Sequence, residues 1–278
     1  MKLTSIDLIN KKKSGEKITM LTSYDFPTAQ LADAAGIDVL LIGDSVGTNV
    51  LGYPDITCVT MNDMIHHIQA VARGTSHAWI LADLPYGSCA TPKDAVDNAA
   101  RLVVAGANGV KIETNDSAAV EALSAIAKNA IPVCGHIGYL PQTHSKASAQ
   151  GKELEQAKQL IAAAQTIEQA GACMIVLELI PVQLSNEISK LLTIPTIGIG
   201  AGPFCDGQVQ VIHDITGMSP RVFRHVKAYG CARDNFSRAI TEYGNDVREQ
   251  KFPTPANAPL MDNDVYTSLQ EWLKDRTA

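Results

Sequence analysis

Five apolar segments of this sequence each end on a residue that can bind a metal ion or transfer a proton. The segments are VLLIGD, WILAD, GVKIE, PVCGH and MIVLE, and they end on Asp44, Asp83, Glu113, His136 and Glu178. Successive ends are separated by 23 to 42 residues, which is enough for a strand, a helix and two short loops. In a barrel of parallel strands, the carboxyl ends of the strands form the active site. The pattern therefore predicts an enzyme with these side chains at one mouth.

Three of these side chains are carboxylates that such a barrel would crowd at its rim: Asp44, Asp83 and Glu113. Two like charges about 4 Å apart repel by roughly 4 kcal/mol at the effective dielectric near a protein surface, so the group must hold protons or attract cations. Oxygen ligands without cysteine or paired histidine favour a hard ion such as Mg²⁺. Lys111 lies two residues before Glu113, on the same face of the strand, and adds a fixed positive charge.

Each of these residues also has an ordinary structural interpretation when it is taken alone. Asp44 and Asp83 precede turns that they can simply cap. Lys111 can be a solvated surface residue, and His136 a core histidine that donates to a backbone carbonyl. Glu178 is the hardest to explain structurally, because it closes an apolar strand with no neighbour in sequence to pair with. Because these residues converge on consecutive strand ends, a functional role is favoured over the structural interpretations.

The elements needed to position these residues alternate regularly along the chain. Eight strands are predicted, as KITMLTSY, DVLLIGD, AWILAD, GVKIE, IPVCGH, CMIVLE, IPTIGIG and VQVIHDI. Helices are expected between them, one beginning after Thr60 and another after Thr91, each with an acid in its first turn. The first sixteen residues are expected to form a helix that closes the bottom of the barrel. At most one of His66 and His67 can face the core from the middle of a helix, and we expect a surface position for the pair.

Composition limits the class of protein. The chain has 278 residues, of which 46% are hydrophobic and 19% charged. Its net charge is −6, with no basic cluster beyond Lys11 to Lys13, which argues against nucleic acid as a partner. No signal peptide and no apolar run long enough to span a membrane is present, so a soluble cytoplasmic protein is expected. Six cysteines without CxxC spacing indicate reduced thiols.

Longer strings of the sequence resemble a known family. They are TSYDFPTAQLADAAGIDVLLIGDSVG, VTMNDMIHHIQAVARG, LADLPYGSCATPKDAVDNAARLVVAGANGVKIE, IPVCGHIGYLPQ, AGACMIVLELIP and IPTIGIGAGPFCDGQVQVIHDITGM, and as a set they closely resemble the ketopantoate hydroxymethyltransferase family. The resemblance covers roughly residues 1–255, which we expect to form one barrel domain with an N-terminal capping helix and C-terminal helices. Residues 256–278, a linker and a terminal helix, lie outside it.

The resemblance implies a fold, a reaction, a cofactor and an assembly. The implied fold is a (β/α)₈ TIM barrel of the phosphoenolpyruvate mutase/isocitrate lyase type. The implied reaction transfers a hydroxymethyl group to 3-methyl-2-oxobutanoate to give 2-dehydropantoate, in pantothenate biosynthesis. The resemblance also implies that Mg²⁺ is required, that 5,10-methylenetetrahydrofolate is the one-carbon donor, and that the assembly is a homodecamer, a pentamer of dimers.

The resemblance also assigns roles to residues of this sequence. The metal contacts fall on Asp44, Asp83 and Glu113. The keto-acid contacts fall on Asp44, Ser45, Asp83 and Lys111. Glu178 falls on the general base that forms the enolate, and His136 would orient the substrate-side network.

One departure from the family pattern follows strand five. A glycine-rich loop resembling GGYKVQGR is replaced here by THSKASAQGKELEQ. We expect residues 143–152 to be mobile without ligand and to order over the keto acid, with Lys146 or Lys152 reaching the anionic folate tail.

Two alternatives remain open. The chain can be a Mg²⁺-dependent lyase or mutase acting on another 2-keto acid, although it lacks the KxCGH motif of that group. It can also be a catalytically degenerate barrel kept for binding or assembly. The presence of all five residues proposed to do chemistry argues against this alternative: Asp44, Asp83, Lys111, Glu113 and Glu178.

Overall fold

The computed structural model of the protein describes residues 2–114, 116–144, 146–220 and 223–277. Eight parallel strands close into a barrel in sequence order, so that β8 pairs with β1. The strands are β1 Ile18–Thr22, β2 Val39–Ile42, β3 Trp79–Asp83, β4 Gly109–Glu113, β5 Val133–Gly138, β6 Met174–Glu178, β7 Thr196–Ile199 and β8 Gly207–Gln210. The predicted (β/α)₈ barrel is therefore confirmed.

Helices precede, separate and follow the strands along the chain. They are α1 Ser5–Ser14, α2 Phe26–Ala34, α3 Met61–Gly74, α4 Pro92–Ala105, α5 Ser117–Lys128, α6 Leu154–Gln169, α7 Val182–Leu191, α8 Ile212–Ile215, α9 Ala232–Arg248 and α10 Asn263–Thr277. Short turns of π-helix at Gly47–Leu51 and of 3₁₀-helix at Ile56–Cys58 follow β2, and a second 3₁₀ turn, Pro255–Asn257, precedes α10.

The alternation of side chains along the strands separates two apolar layers. Inside the barrel, Met20, Leu41, Leu81 and Val176 belong to one buried cluster. The residues between them point outward into a larger cluster with the helices. Both layers are apolar because parallel strands covered by helices are buried on both faces.

The last predicted strand was wrong in part. The segment VQVIHDI was expected to be a strand over 209–215, but the strand ends at Gln210 and Ile212–Ile215 forms a helical turn. A short apolar run is compatible with either structure, and periodicity alone does not separate them. His213 and Asp214 consequently lie on α8 and not on a strand.

The predicted helix starts are confirmed. Thr60 and Thr91 cap α3 and α4 by accepting the backbone N–H groups of Asp63 and Asp94. The surface position expected for His67 is wrong, because this side chain is buried and its Nδ1 lies 2.6 Å from the carbonyl oxygen of Tyr24. The neighbouring His66 is exposed, as expected.

The chain divides into two compact units, residues 1–229 and 230–278. The first contains the barrel, and the second contains α9 and the predicted terminal helix, α10. On α9, Phe236, Ile240 and Tyr243 are all exposed and share one face of the helix. The domain boundary expected at residue 255 stays a prediction.

Within the described ranges, none of the helices combines the length and the apolar character that crossing a bilayer requires.

The N-terminal helix α1 closes the barrel through one side chain. Leu8 is fully buried and packs with Ile18, Met20 and Trp79 in the interior cluster, whereas Ile6 on the same helix is 66% exposed. We expect Leu8→Ala to lower the free energy of unfolding by about 2–5 kcal/mol, because it removes buried methyl groups and leaves a cavity. Urea unfolding measures this loss. Ile6→Ala is the matched control, and an equal loss in both variants would refute the interior position of Leu8.

Candidate active site

The carboxyl ends of β3 to β6 bring five of the predicted site residues together. Strand register places Asp83 opposite Lys111 and Glu113 opposite His136. The same register places Glu178 opposite Gly138, the last residue of β5. All of these polar side chains except that of Glu178 are buried. The strand-end pattern in the sequence thus corresponds to one polar cluster at one end of the barrel.

Asp44 joins this cluster from the turn that follows β2. Its backbone N–H donates to Asp83 Oδ2 at 3.1 Å, which ties the ends of β2 and β3 together. The turn depends on Gly43, because a Cβ atom there would lie 2.8 Å from Ser45 Oγ and 3.5 Å from Asp83 Oδ2. The tight approach lets Asp44 and Ser45 face the same mouth as Asp83.

Lys111 is a buried partner of this acidic cluster. Its Nζ lies 2.9 Å from Asp83 Oδ1, so its interpretation as a solvated surface lysine is wrong. Burial alone lowers the pKa of a lysine, but here Asp83, Asp44 and Glu113 outweigh burial and raise the pKa of Lys111. Lys111 therefore stays charged throughout the physiological range.

A neutral residue that the sequence did not single out lies at the centre of the network. Gln142, in the loop after β5, donates through Nε2 to Asp44 Oδ2 at 2.8 Å and to the Leu84 carbonyl at 3.1 Å. Its backbone N–H points at both oxygens of Glu113, at 3.2 and 3.3 Å. Its only signal in the sequence is its place a few residues beyond a strand end.

Tyr24 is a second residue that sequence analysis missed. Its hydroxyl lies 2.8 Å from Ser45 Oγ, and the side chain is almost fully buried. Burial raises its pKa to about 12, so the hydroxyl stays protonated and available to Ser45. The sequence around this tyrosine, TSYD, does not predict the contact. The pattern of polar and apolar residues does not show which side chain the tyrosine hydroxyl will meet.

Burial makes the carboxyl groups of the cluster harder to ionise. Burial and the neighbouring Asp83 raise the pKa of Asp44 to about 7, against the opposing effects of Lys111 and Gln142. Burial likewise raises the pKa of Glu113 to about 8, although Lys111 and the Gln142 N–H oppose it. One lysine thus does not balance the three carboxylates, and the cluster would be stabilised by further positive charge.

These side chains fit a hard divalent cation that takes most of its ligands from elsewhere. Among the described residues, no group of three or more His, Cys, Asp or Glu side chains forms a complete cage for a metal ion. Asp44 and Asp83 nevertheless supply oxygen donors with excess negative charge. Mg²⁺ is commonly held by only one or two protein carboxylates together with water and substrate oxygens. The donor set suits such an open site.

Glu178 is the most accessible carboxylate of the group, with 17% of its side chain exposed. Burial raises its pKa to about 7, opposed by Lys111 and His225. The backbone around it is tightly constrained. Leu179 has φ of 48°, an unusual value for a side chain with a Cβ, and a Cβ on Gly138 would lie 2.1 Å from the Glu178 carbonyl oxygen. Such strain is found preferentially at functional sites.

His136 faces Glu178 as a neutral imidazole. Its Nε2 lies 3.2 Å from Glu178 Oε2, and neither ring nitrogen makes a well-formed hydrogen bond within the described part of the chain. Burial, reinforced by Lys111, holds the pKa of His136 well below its usual value of 6.5. The ring is therefore uncharged at neutral pH and free to bond a ligand in the mouth.

A cavity of about 1110 Å³ lies beside this cluster. It is lined by residues that follow β6 and β7, including Leu179 and Gly200, and it extends along β8 and β1. Lys152 lines it as well, whereas the polar cluster from Asp44 to Glu178 does not. This room for a large ligand thus begins next to Glu178. The predicted ordering of residues 143–152 stays a prediction, and residue 145 within them lies outside the described ranges.

Comparison with known proteins agrees with the sequence and the fold. A curated 3-methyl-2-oxobutanoate hydroxymethyltransferase from Acetivibrio thermocellus is 45% identical over 276 residues, covering 97% of each chain. One from Clostridium botulinum (strain Loch Maree / Type A3) is 46% identical over 264 residues, covering 93% of this chain and 96% of its own. The crystal structure of 2,3-dimethylmalate lyase, a PEP mutase/isocitrate lyase superfamily member, shares the fold with a TM-score of 0.60 at 17% identity, covering 97% of this chain and 99% of that one.

The match to a family covers nearly the whole barrel chain. The sequence profile described as Ketopantoate hydroxymethyltransferase matches residues 2–255. Together with the identities above, this shows that the chain belongs to the ketopantoate hydroxymethyltransferase family.

Proposed function

We propose that this protein transfers a hydroxymethyl group from 5,10-methylenetetrahydrofolate to 3-methyl-2-oxobutanoate, giving 2-dehydropantoate in pantothenate biosynthesis, with Mg²⁺ as the metal. The observation that carries the proposal is Glu178, an accessible carboxyl group with a pKa near 7 at the edge of a buried acidic cluster. A base with that pKa is suited to removing a carbon-bound proton at neutral pH.

Binding of the keto acid is assigned to the acidic end of the cluster. Asp44 and Asp83 would hold Mg²⁺, and Glu113 would contact it directly or through water. When bound, Mg²⁺ supplies Lewis-acid polarisation of the keto group. Ser45, oriented by the Tyr24 hydroxyl, would donate to the substrate carboxylate.

Chemistry is assigned to the other end. Glu178 would take the proton from the third carbon of the keto acid to give the enolate. One water would break the C–N bonds of the folate methylene group, releasing tetrahydrofolate and a one-carbon unit at the formaldehyde level. The enolate carbon would attack this unit, and the oxygen that came from water would take up the proton held by Glu178 to complete the hydroxymethyl group. The Lys111 ammonium, fixed on Asp83, offers positive charge to the oxygen that gains charge when the enolate forms. Neutral His136 would bond the substrate and keep Glu178 oriented.

Folate binding is assigned to the neighbouring cavity. It begins at Leu179, directly after the proposed base, and Lys152 on its wall offers charge to the anionic tail. Lys146, the other lysine proposed from the sequence, does not line it. A homodecamer remains our proposal for the assembly, and the exposed apolar face of α9 is suited to burial in one.

A lyase or mutase acting on another 2-keto acid is a weaker candidate. Cys134, in the segment closest to the missing KxCGH motif, points into the apolar interior of the barrel, and burial raises its pKa well above the usual 9.0. Such a thiol is inert and lies away from the mouth. The degenerate-barrel alternative is disfavoured by the intact ion pair and base.

Metal binding tests the acidic end. Replacing Asp44 or Asp83 by alanine is expected to weaken Mg²⁺ binding strongly, and keto-acid binding with it, because each removes a carboxylate from a site with few ligands. Titration calorimetry with Mg²⁺ and 3-methyl-2-oxobutanoate measures both. Asp97→Ala on the exposed face of α4 is the control. Normal Mg²⁺-dependent binding in both site variants would remove these residues from the metal site.

Proton exchange tests the base. Glu178→Gln keeps the shape of the side chain but does not accept a proton, so it is expected to retain Mg²⁺ and keto-acid binding. Exchange at the third carbon, followed by proton NMR in D₂O, should fall by roughly 10²–10⁴, as should hydroxymethyl transfer. Proton exchange at the parent rate in Glu178→Gln would show that another group removes the proton, with His136 the first candidate.

The pH dependence of exchange follows from the raised pKa of Glu178. Only the ionised carboxylate is a base, so at saturating Mg²⁺ the exchange rate should rise with pH below about 7 and level off above it. His136 does not contribute to this rise, because its pKa lies well below 6.5. A rate that is flat between pH 5 and 8 would contradict the raised pKa. A rise that persists in Glu178→Gln would belong to another carboxyl group of the cluster.

A further inference from the structure

Gln142 connects three loops and the end of strand β4 at the mouth of the barrel. The residue lies after β5, its side-chain amide reaches Asp44 after β2 and Leu84 after β3, and its backbone N–H reaches Glu113 at the end of β4. These partners are 98, 58 and 29 residues away in sequence.

The direction of the amide is fixed by its partners. Both groups within reach of the amide end are acceptors, Asp44 Oδ2 at 2.8 Å and the Leu84 carbonyl at 3.1 Å. A primary amide nitrogen carries two N–H donors and satisfies both at once, whereas the amide oxygen would repel both. The Leu84 carbonyl therefore anchors the group that holds Asp44.

A neutral donor has a particular use in this place. Lys111 already pairs with Asp83, and a second ammonium on Asp44 would cancel the negative charge that attracts a cation. An amide N–H fixes the orientation of the carboxylate and leaves its charge in place. Carboxylates that ligate metals are themselves commonly held by such hydrogen bonds, and their loss typically costs 10- to 100-fold in metal affinity.

We propose that Gln142 is a positioning residue, whose side-chain N–H groups orient Asp44, and whose backbone N–H orients Glu113, to receive Mg²⁺ and the keto acid. This inference rests on the proposed function and deepens it. Gln142 acts through Asp44 and Glu113, and it is separate from the base, Glu178. It should therefore govern binding and leave the proton-transfer step largely unchanged.

Gln142→Met and Gln142→Glu separate donation from packing. Methionine keeps the volume and the backbone N–H but has no side-chain donor, so Mg²⁺-dependent binding of 3-methyl-2-oxobutanoate should weaken about 10- to 100-fold in calorimetry. Glutamate places an acceptor against Asp44 and should bind more weakly than methionine. KM for the keto acid should rise in parallel, with third-carbon proton exchange at saturation within about threefold of the parent. Gln169→Met, on the exposed end of α6, is the matched control.

The outcomes are distinct. Binding by Gln142→Met within about threefold of the parent, or equal binding by the methionine and glutamate variants, overturns the positioning role. A loss confined to saturated proton exchange overturns it as well, since Gln142 would then act on the chemical step. If Gln142→Met does not fold, Gln142→Asn replaces it, because its shorter amide does not span the same distance and the same weakening is expected. A parent protein that binds neither Mg²⁺ nor the keto acid overturns the proposed function, and the positioning role with it.

Discussion

The burial of several carboxyl groups around a single lysine governs the mouth of this barrel. Asp44, Glu113 and Glu178 all have raised pKa values because burial penalises their charged forms. For each group, the protonated form is favoured by folding. The stability that they contribute is therefore complete below their unfolded pKa, near 4, and is lost as pH rises through about 7 to 8. At neutral pH the fold tolerates this loss of stability. Because the ionised carboxylates then outnumber the positive charges around them, a cation binds favourably at this site.

The barrel withstands this penalty because the rest of its structure is apolar and closed. Eight paired strands leave no sheet edge, and the interior below the mouth is filled by side chains from Met20 to Val176, with Leu8 packed against them. At the rim, Gly43 and Gly138 allow close approaches and Leu179 takes a positive φ. The strained positions flank Asp44 and Glu178, so the rigid barrel fixes the side chains whose geometry matters most.

The sequence predicts the charged part of this site well and the neutral part poorly. An acid at the end of an apolar strand is conspicuous, and parallel topology alone brings Asp83, Glu113 and Glu178 to one end. Gln142 and Tyr24 carry no such signal, because their importance comes from partners that are distant in sequence. The same limit explains the errors. The burial of His67 depends on a carbonyl of another element, and the short run VQVIHDI suits a strand or a helix equally until its packing is known.

The proposed metal site and the proposed base lie at two ends of one network. Lys111 is ion-paired with Asp83 at the first end, whereas Glu178 and neutral His136 lie at the other, next to the cavity. A charged imidazolium would stabilise the ionised form of Glu178, whereas a neutral imidazole does not. The pKa of Glu178, the proposed base, therefore stays near 7. If His136 were protonated, it would lower that pKa and weaken the base. The burial that keeps His136 uncharged is therefore part of what makes Glu178 suited to remove a proton.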